Sequence, residues 1–392
     1  MSEAFIVAAT RTAGGKRGGR LSGWHPVDLA AQVLNDLLDR TGADPALVED
    51  VFMGCVSQVG EQSTNVARNA VLASRLPESV PGTSIDRQCG SSQQAIHFAA
   101  QAVMSGSMDV VIAAGVESMT RVPMFSTSYL AQKANMGFYQ SPLMNKRYND
   151  QVFSQFVGAE MMAQKYGLSK LELDSYALLS HQRALAATQA GAFKDEILPV
   201  AVLNTEGQAS GEMHTADEGI RAEATLEGIQ SVKLLQEGGG VTAANASQIC
   251  DGATGVMVVS ERGLNALGIK PLARIHHMTM IGHDPVIMLE APIPATERAL
   301  KKAGMKVDDI DLYEVNEAFA SVPLAWLKSL GADPARLNVN GGAIALGHPL
   351  GASGTKLMTT LVHALAQRGK RYGLQTMCEG GGMANVTIIE RL

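Results

Sequence analysis

With 392 residues, 46% of them hydrophobic and 18% charged, the chain has the composition of an ordinary globular protein with enough length for two or three domains. A net charge of −6 offers no basic footprint for nucleic acid, and the longest apolar runs, such as Val110-Val111-Ile112-Ala113-Ala114, are far too short to cross a bilayer. The four cysteines, Cys55, Cys89, Cys250 and Cys378, form no C-x-x-C pair and no histidine cluster stands at metal-ligand spacing, so a reducing compartment and no metal site are expected.

In chain order, the first half alternates strands and helices. Phe5–Ala9 reads as a strand that starts almost at once, leaving no leader peptide, and the cytoplasm is the expected location. Pro26–Arg40 reads as a helix, with Pro26 in its first turn and Gly42 just past its end. Val51–Val56, after the acidic Glu49-Asp50, is the next strand. The run Ser84 to Ala95 then reads as a short extended piece, one cysteine, a glycine-serine turn and a helix. Ile96, Ala99, Ala100, Val103 and Met104 of that helix fall on one face. Ser91 and Ser92 suit its N-terminus, which puts Cys89 where backbone N–H groups and the helix dipole favour a thiolate. A buried, inert thiol is the ordinary alternative. Asp109–Ala114 follows as a buried-type strand closed by Gly115.

From about Met119 to Ala244 the texture changes. Four Phe and five Tyr fall in Arg121–Ser180 among Gln, Asn, Ser and Met, which reads as an inserted, partly helical domain shaping a pocket or a dimer contact. Gln236–Ala244 leads back to a core strand at Val256–Val259. The second half then repeats the plan of the first. Asp308-Asp309 precedes the strand Ile310–Val315, Leu337–Asn340 is extended, and a glycine-rich loop leads to a helix carrying Leu357, Thr360, Leu361, Ala364 and Leu365. The strand Tyr372–Met377 closes it. Two similar α/β halves imply a pseudo-twofold architecture with a site where corresponding loops meet.

Three further stretches carry chemistry. Glu314-Val315-Asn316-Glu317-Ala318-Phe319 reads as a strand ending in Asn316 at a helix start, where Asn is also an ordinary N-cap, and Pro323 should kink or restart that helix. Asn340 to Gly354 holds five glycines around His348, and Pro349 biases His348 away from helical geometry, so its imidazole sits on a stiff loop as a candidate general base. Leu374 to Asn385 places Cys378 at a strand end before Gly380-Gly381-Gly382, whose amides a ligand can approach. By contrast Gly14-Gly15-Lys16-Arg17-Gly18-Gly19 lacks P-loop spacing and reads as a solvated loop.

Together these stretches closely resemble the thiolase family across essentially all of residues 1–392: the Cys89 region, the N-G-G-A-I-A-L-G-H-P-L-G-A-S-G block, the C-x-G-G-G block, and Asn316 in N-E-A-F. The resemblance implies an α/β thiolase fold, layered α-β-α-β-α, with an inserted loop domain. The N-terminal half would be 1–118, completed by about 245–270, the insertion 119–244 and the C-terminal half 271–392. It implies an acyltransferase with no permanently bound cofactor and coenzyme A as co-substrate, cleaving 3-ketoacyl-CoA through an acyl-Cys89 intermediate. His348 would take the Cys89 proton, and Cys378 would protonate the departing enolate. One oxyanion hole would be His348 with a water held by Asn316, the other the N–H groups of Cys89 and Gly380. Arg221 and Ser247 would contact CoA, and Phe156, Met288 and Phe319 would line the acyl pocket. Phe156 stands where acetoacetyl-specific relatives carry a histidine, and Gly228 where some carry a serine. The family also implies a homodimer or homotetramer, with acyl-CoA and CoA as its other partners.

Other readings fit less of the sequence. An acetoacetyl-CoA thiolase condensing two acetyl-CoA shares every catalytic position. A ketosynthase of the same superfamily would place a second histidine where Asn316 stands, and a cysteine hydrolase leaves Cys378 and the glycine blocks unexplained. A non-catalytic acyl-CoA carrier on this fold should have lost Cys89, His348 or Cys378, and all are present.

Overall fold

All but two of the strands among the described residues form one long mixed sheet in which a five-part pattern occurs twice. The computed structural model describes residues 3–392. In the first half the strands, in chain order, are Phe5–Thr12, Asp50–Gly54, Gly82–Ile85, Val110–Ser118 and Cys250–Val259. Across the sheet they lie first, fifth, fourth, second, third. The second half has Ala273–Gly282, Leu312–Val315, Tyr372–Glu379 and Met383–Arg391, with Leu337 bridging Tyr313 in parallel as the third position. Its order is the same, with the same parallel and antiparallel neighbours. The two first strands meet antiparallel at Phe5–Arg274 and Ile6–Ala273, so the halves are related by a pseudo-twofold through that pair.

Helices on both faces complete five layers. Pro26–Thr41 and Val66–Ala73 cover the outer face of the first half, burying Leu29, Val33, Leu34, Leu37, Val66 and Val71 against its strands. Pro26 opens the first of these and Gly42, at φ 62°, ends it in the left-handed conformation that glycine adopts without strain. Pro292–Ala303 and Ser321–Leu330 cover the second half in the same way, around Trp326. Between the halves run Ser91–Met104 and Ser353–Gln367, whose Ile96, Ala99, Val103, Met358, Leu361 and Leu365 pack in one cluster with strands from both. The N-terminal ends of these two helices touch, the Thr355 amide donating to Ser92 Oγ at 3.0 Å.

Between Ser118 and Cys250 the chain leaves the sheet, apart from Ile197–Leu198 pairing with Arg11 and Thr12. It builds helices including Gln155–Lys165 and Lys170–Gln189, and a hairpin of Val200–Leu203 with Ala209–His214. Lys170–Gln189 starts at a capping box, Ser169 with Glu172. The aromatic residues of the insertion divide. Tyr176 is buried in the second-half core, whereas Phe125, Tyr129, Phe138 and Tyr139 stand exposed on and around the short helix Ser126–Lys133.

Several local expectations change in the folded chain. Gly115 does not close its strand, which continues to Ser118 paired with Asp251. A Cβ at 115 would lie 2.6 Å from Ala352 Cα, so this glycine marks close packing of the His348 loop rather than a stop. Asn316 is not an N-cap, since its helix begins at Ser321. Pro323 then falls in the first turn, where no helical N–H is needed, and kinks nothing. The strand expected to reach Val56 ends at Gly54, because the Val56 and Ser57 amides turn aside to the Glu117 carboxylate at 2.8 and 3.1 Å. The Gly14–Gly19 stretch keeps Lys16, Arg17 and Gly18 exposed, as expected of a solvated loop, with the Lys16 amide donating to Glu218 at 3.2 Å.

Candidate active site

The pseudo-twofold carries the loops before the two central helices to one end of the molecule. Cys89 lies in a tight turn just ahead of Ser91–Met104. Gln88 takes φ 50°, the Gly90 and Ser91 amides donate to Arg87 and Gln88 carbonyls, and Ser91 Oγ accepts from the Arg87 amide at 2.9 Å. The half-buried thiol is not ionised at rest, contrary to the thiolate expected at this helix end. Burial pushes its pKa up to about 12, aided by Glu379, while its own backbone amide opposes and Glu117 and Asp86 add to the rise.

His348 is buried on the symmetry-related loop, and its hydrogen bonds define its tautomer. Ser353 Oγ donates to the Pro349 carbonyl at 2.9 Å, so it must accept from His348 Nδ1–H, 2.5 Å away. Nε2 is then bare, facing Asn316 Nδ2 at 3.5 Å. Desolvation, with the Lys356 ammonium assisting, lowers the imidazole pKa to about 3, so the ring is neutral. Glu117 braces this loop from behind, accepting from the Gly351 amide at 2.9 Å as well as from Val56, Ser57 and Gln62.

Asn316 is buried after the strand Leu312–Val315, its amide held by the Thr376 carbonyl at 3.0 Å and its Oδ1 without a hydrogen-bond partner among the described residues. Cys378 is buried near the end of the neighbouring strand, and burial, then Cys89 and Glu379, push its thiol well above the ordinary range. Gly380 faces the Cys89 turn, since a Cβ there would lie 2.9 Å from Gln88 Oε1. The five catalytic candidates therefore come from loops and strand ends of both halves that converge.

The acyl-pocket candidates also come together. Phe156 and Phe319 pack edge to face, with ring centroids 5.8 Å apart, and the helix bearing Phe156 abuts Met288 at Gly158. Met288 and Phe319 are buried, Phe156 is 41% exposed, and Met288 takes φ 55°. The CoA candidates lie on adjoining segments. Ser247 donates its amide to the Ala318 carbonyl at 2.9 Å, and the adjacent Gln248 Nε2 donates to Gly219 O at 2.8 Å, which joins the Arg221 turn to this segment. Arg221 is exposed, and its amide donates to His181 Nδ1. Gly228, by contrast, lies inside a short helix, its amide donating to the N-cap Thr225 Oγ1 at 3.1 Å.

Sequence reasoning missed Ser353, Glu117, Glu317 and Glu379. Glu317 holds Tyr176, Ser180, Asn338 and the Ile344 amide, tying the insertion to the His348 block. A signal for it was present in a glutamate flanked only by apolar residues and Asn316. Ser353 gave none beyond lying five residues after His348.

Similarity to known proteins agrees with this architecture. Residues 4–262 match the family described as thiolase, N-terminal domain, and residues 269–391 match thiolase, C-terminal domain. The chain belongs to the thiolase family. It is 54% identical over 396 residues to a steroid 3-ketoacyl-CoA thiolase of Mycobacterium tuberculosis, covering 100% of this chain and 95% of the relative. It is 41% identical to a 3-ketoacyl-CoA thiolase of Cronobacter sakazakii, covering 100% of both chains. It is 42% identical to an acetyl-CoA acetyltransferase of Chromobacterium violaceum, covering 99% of this chain and 100% of the relative.

The His348 geometry makes a spectroscopic prediction. Ring ¹⁵N shifts should report one tautomer, protonated at Nδ1, with no titration between about pH 8 and pH 5, because a pKa lowered to about 3 leaves the ring neutral throughout. Ser353→Ala should mix the tautomers. A midpoint near the ordinary histidine value would contradict the arrangement.

Proposed function

We propose that this protein is a 3-ketoacyl-CoA thiolase that cleaves its substrate with CoA to acetyl-CoA and a shortened acyl-CoA. The observation carrying this reading is the convergence of two neutral thiols, Cys89 and Cys378, with an imidazole whose Nε2 is bare. A thiol and imidazole that are both neutral at rest need proton transfer coupled to attack, rather than a standing ion pair. Cys89 Sγ attacks the keto carbon as His348 Nε2 takes its proton. The C2–C3 bond then breaks, leaving the acyl group on Cys89 as a thioester and the electron pair on acetyl-CoA as an enolate, which the Cys378 thiol protonates. CoA enters, gives its thiol proton to the Cys378 thiolate and attacks the thioester, and Cys89 leaves with the proton returned by His348. Charge on the substrate oxygens is met by His348 with an Asn316-held water, and by the amides of Cys89 and Gly380. Each such donor is typically worth about 10²–10³ in rate. The unpartnered Asn316 Oδ1 supports the water-holding role. Arg221 and Ser247 bind CoA beside this site.

The free state of all four cysteines supports a cytoplasmic location, and no helix among the described residues is long and apolar enough to cross a membrane. The strand Gly82–Ile85 is a sheet edge, and Leu72 and Phe98 are exposed large apolar residues, which supports a homodimer or dimer of dimers. Light scattering at micromolar concentration should give a dimer or tetramer mass, and a monomer would count against the assembly.

The division of labour between the cysteines is directly testable. Incubation with acyl-CoA and no acceptor, followed by peptide mass mapping, should find the acyl group on Cys89. Cys378→Ala should retain that acylation but lose carbon–carbon bond chemistry by about 10²–10⁴-fold, the range for a proton-transfer group. An acyl group on Cys378 or Cys250 would overturn the assignment.

The substrate reading follows from Phe156 and Phe319, an apolar wall that rewards chains longer than acetoacetyl. Buried methylenes contribute roughly 0.8 kcal/mol each, so four added carbons gain about 3 kcal/mol, on the order of a hundredfold in kcat/KM. The relative named for steroid substrates supports a wide pocket, and a ring-bearing acyl group belongs in the same series. The competing reading, an acetoacetyl-CoA thiolase, is favoured if the half-exposed Phe156 ring fills the space itself. Rates for acetoacetyl-CoA and 3-ketooctanoyl-CoA at equal CoA separate the two: a roughly tenfold or greater preference for acetoacetyl-CoA would reject the long-chain reading.

A further inference from the structure

Glu379 lies beside both cysteines, and the mechanism above gives it no role. It follows Cys378 and precedes Gly380, it is fully buried, and neither carboxyl oxygen has a hydrogen-bond partner of good geometry. Its carboxyl lies against the residue after Cys89, since a Cβ on Gly90 would be 2.0 Å from Glu379 Oε1. Glu379 is also among the groups that raise the pKa of both thiols. An ionised carboxylate would oppose a negative charge on either sulfur, in a pocket with little water to screen it.

We propose that Glu379 is a positioning residue held as a neutral carboxylic acid beside Cys89 and Cys378, and that its ionisation suppresses thiolate formation on Cys89. The inference rests on Cys89 being the nucleophile. The charges around it favour the neutral form on balance. Burial raises the carboxyl pKa to about 8, against the Arg87 guanidinium and the Asn385 amide, which both lower it. Arg87 also contacts Met383 Sδ at 3.9 Å. On the neighbouring elements, Asp86 and Glu117 act on Cys89, while Asn385 and Gln94, which share a side-chain hydrogen bond at 3.2 Å, are uncharged. A thiolate at Cys89 therefore sees a neutral neighbour below about pH 8 and a like charge above it. The carboxyl blunts the gain in nucleophilicity that rising pH would otherwise bring.

The test is the pH profile of Cys89 alkylation by iodoacetamide, with the site of labelling verified by peptide mapping, in the wild type, Glu379→Gln and Glu379→Ile. Gln keeps the shape without the charge. Ile keeps similar bulk without any polar atom, and it serves alone if the Gln protein does not fold. All three proteins should react at similar rates near pH 6.5. Near pH 9.5 both variants should react on the order of tenfold faster than the wild type, since only the wild type then carries a charge beside the sulfur. Profiles that overlay across the range would overturn the inference, leaving Glu379 as packing alone. Acceleration in the Gln variant but not the Ile variant would overturn it too, because it would implicate a hydrogen bond rather than charge. Alkylation of Cys378 in place of Cys89 would instead overturn the nucleophile assignment on which the inference stands.

Discussion

The site exists because two helices, Ser91–Met104 and Ser353–Gln367, share a single layer between two halves of one sheet. The antiparallel pairing of the first strands at Phe5–Arg274 and Ile6–Ala273 joins the halves in one sheet. With Thr355 bonded to Ser92, the turns that precede the two helices have to meet. One turn carries Cys89 and the other His348. The Glu117 carboxylate, bonded to Gly351 and to the Val56–Ser57 turn, holds the second loop against the first half. Placement of the Cys89 thiol and the His348 imidazole is thus a consequence of core packing, with little left to loop flexibility.

The same burial sets the electrostatics. Desolvation is the leading cause of the raised Cys89 and Cys378 pKa values and of the lowered His348 pKa. Each group is held in its uncharged form, and the Ser353 hydroxyl, itself bonded to Pro349 O, aims the one bare ring nitrogen. In the proposed reaction charges form only as a substrate oxygen develops charge nearby, where fixed dipoles act most strongly. Glu379 follows the same logic, since a carboxyl buried without hydrogen bonds is least costly when protonated.

Much of this was legible in the chain. The alternation of strands and helices, the internal repeat and the glycine blocks around Cys89, His348 and Cys378 survive in the folded protein because each rests on local chemistry. Apolar spacing at Ile96, Ala99 and Val103, or a proline before a helix and a glycine after it at Pro26 and Gly42, demands the same structure in most contexts. The readings that changed were ones in which a residue answered to a distant partner. Gly115 looked like a strand stop but makes room for Ala352, and the helix expected to start at Asn316 begins only at Ser321, leaving the Asn316 side chain facing His348.

What the sequence by itself determined was the kind of elements, their doubled order and the presence of two cysteines and a histidine beside glycine-rich turns, with an asparagine after a strand. Periodicity, capping and turn chemistry act within a few residues, so they are written locally. What only the tertiary structure decided was charge and proximity: that the Cys89 thiol rests protonated, that His348 offers Nε2, that Phe156 meets Phe319, and that Glu379 is wedged behind Gly90. Those properties depend on which surfaces lose water together, and desolvation is a property of the packed whole that no single stretch of chain contains.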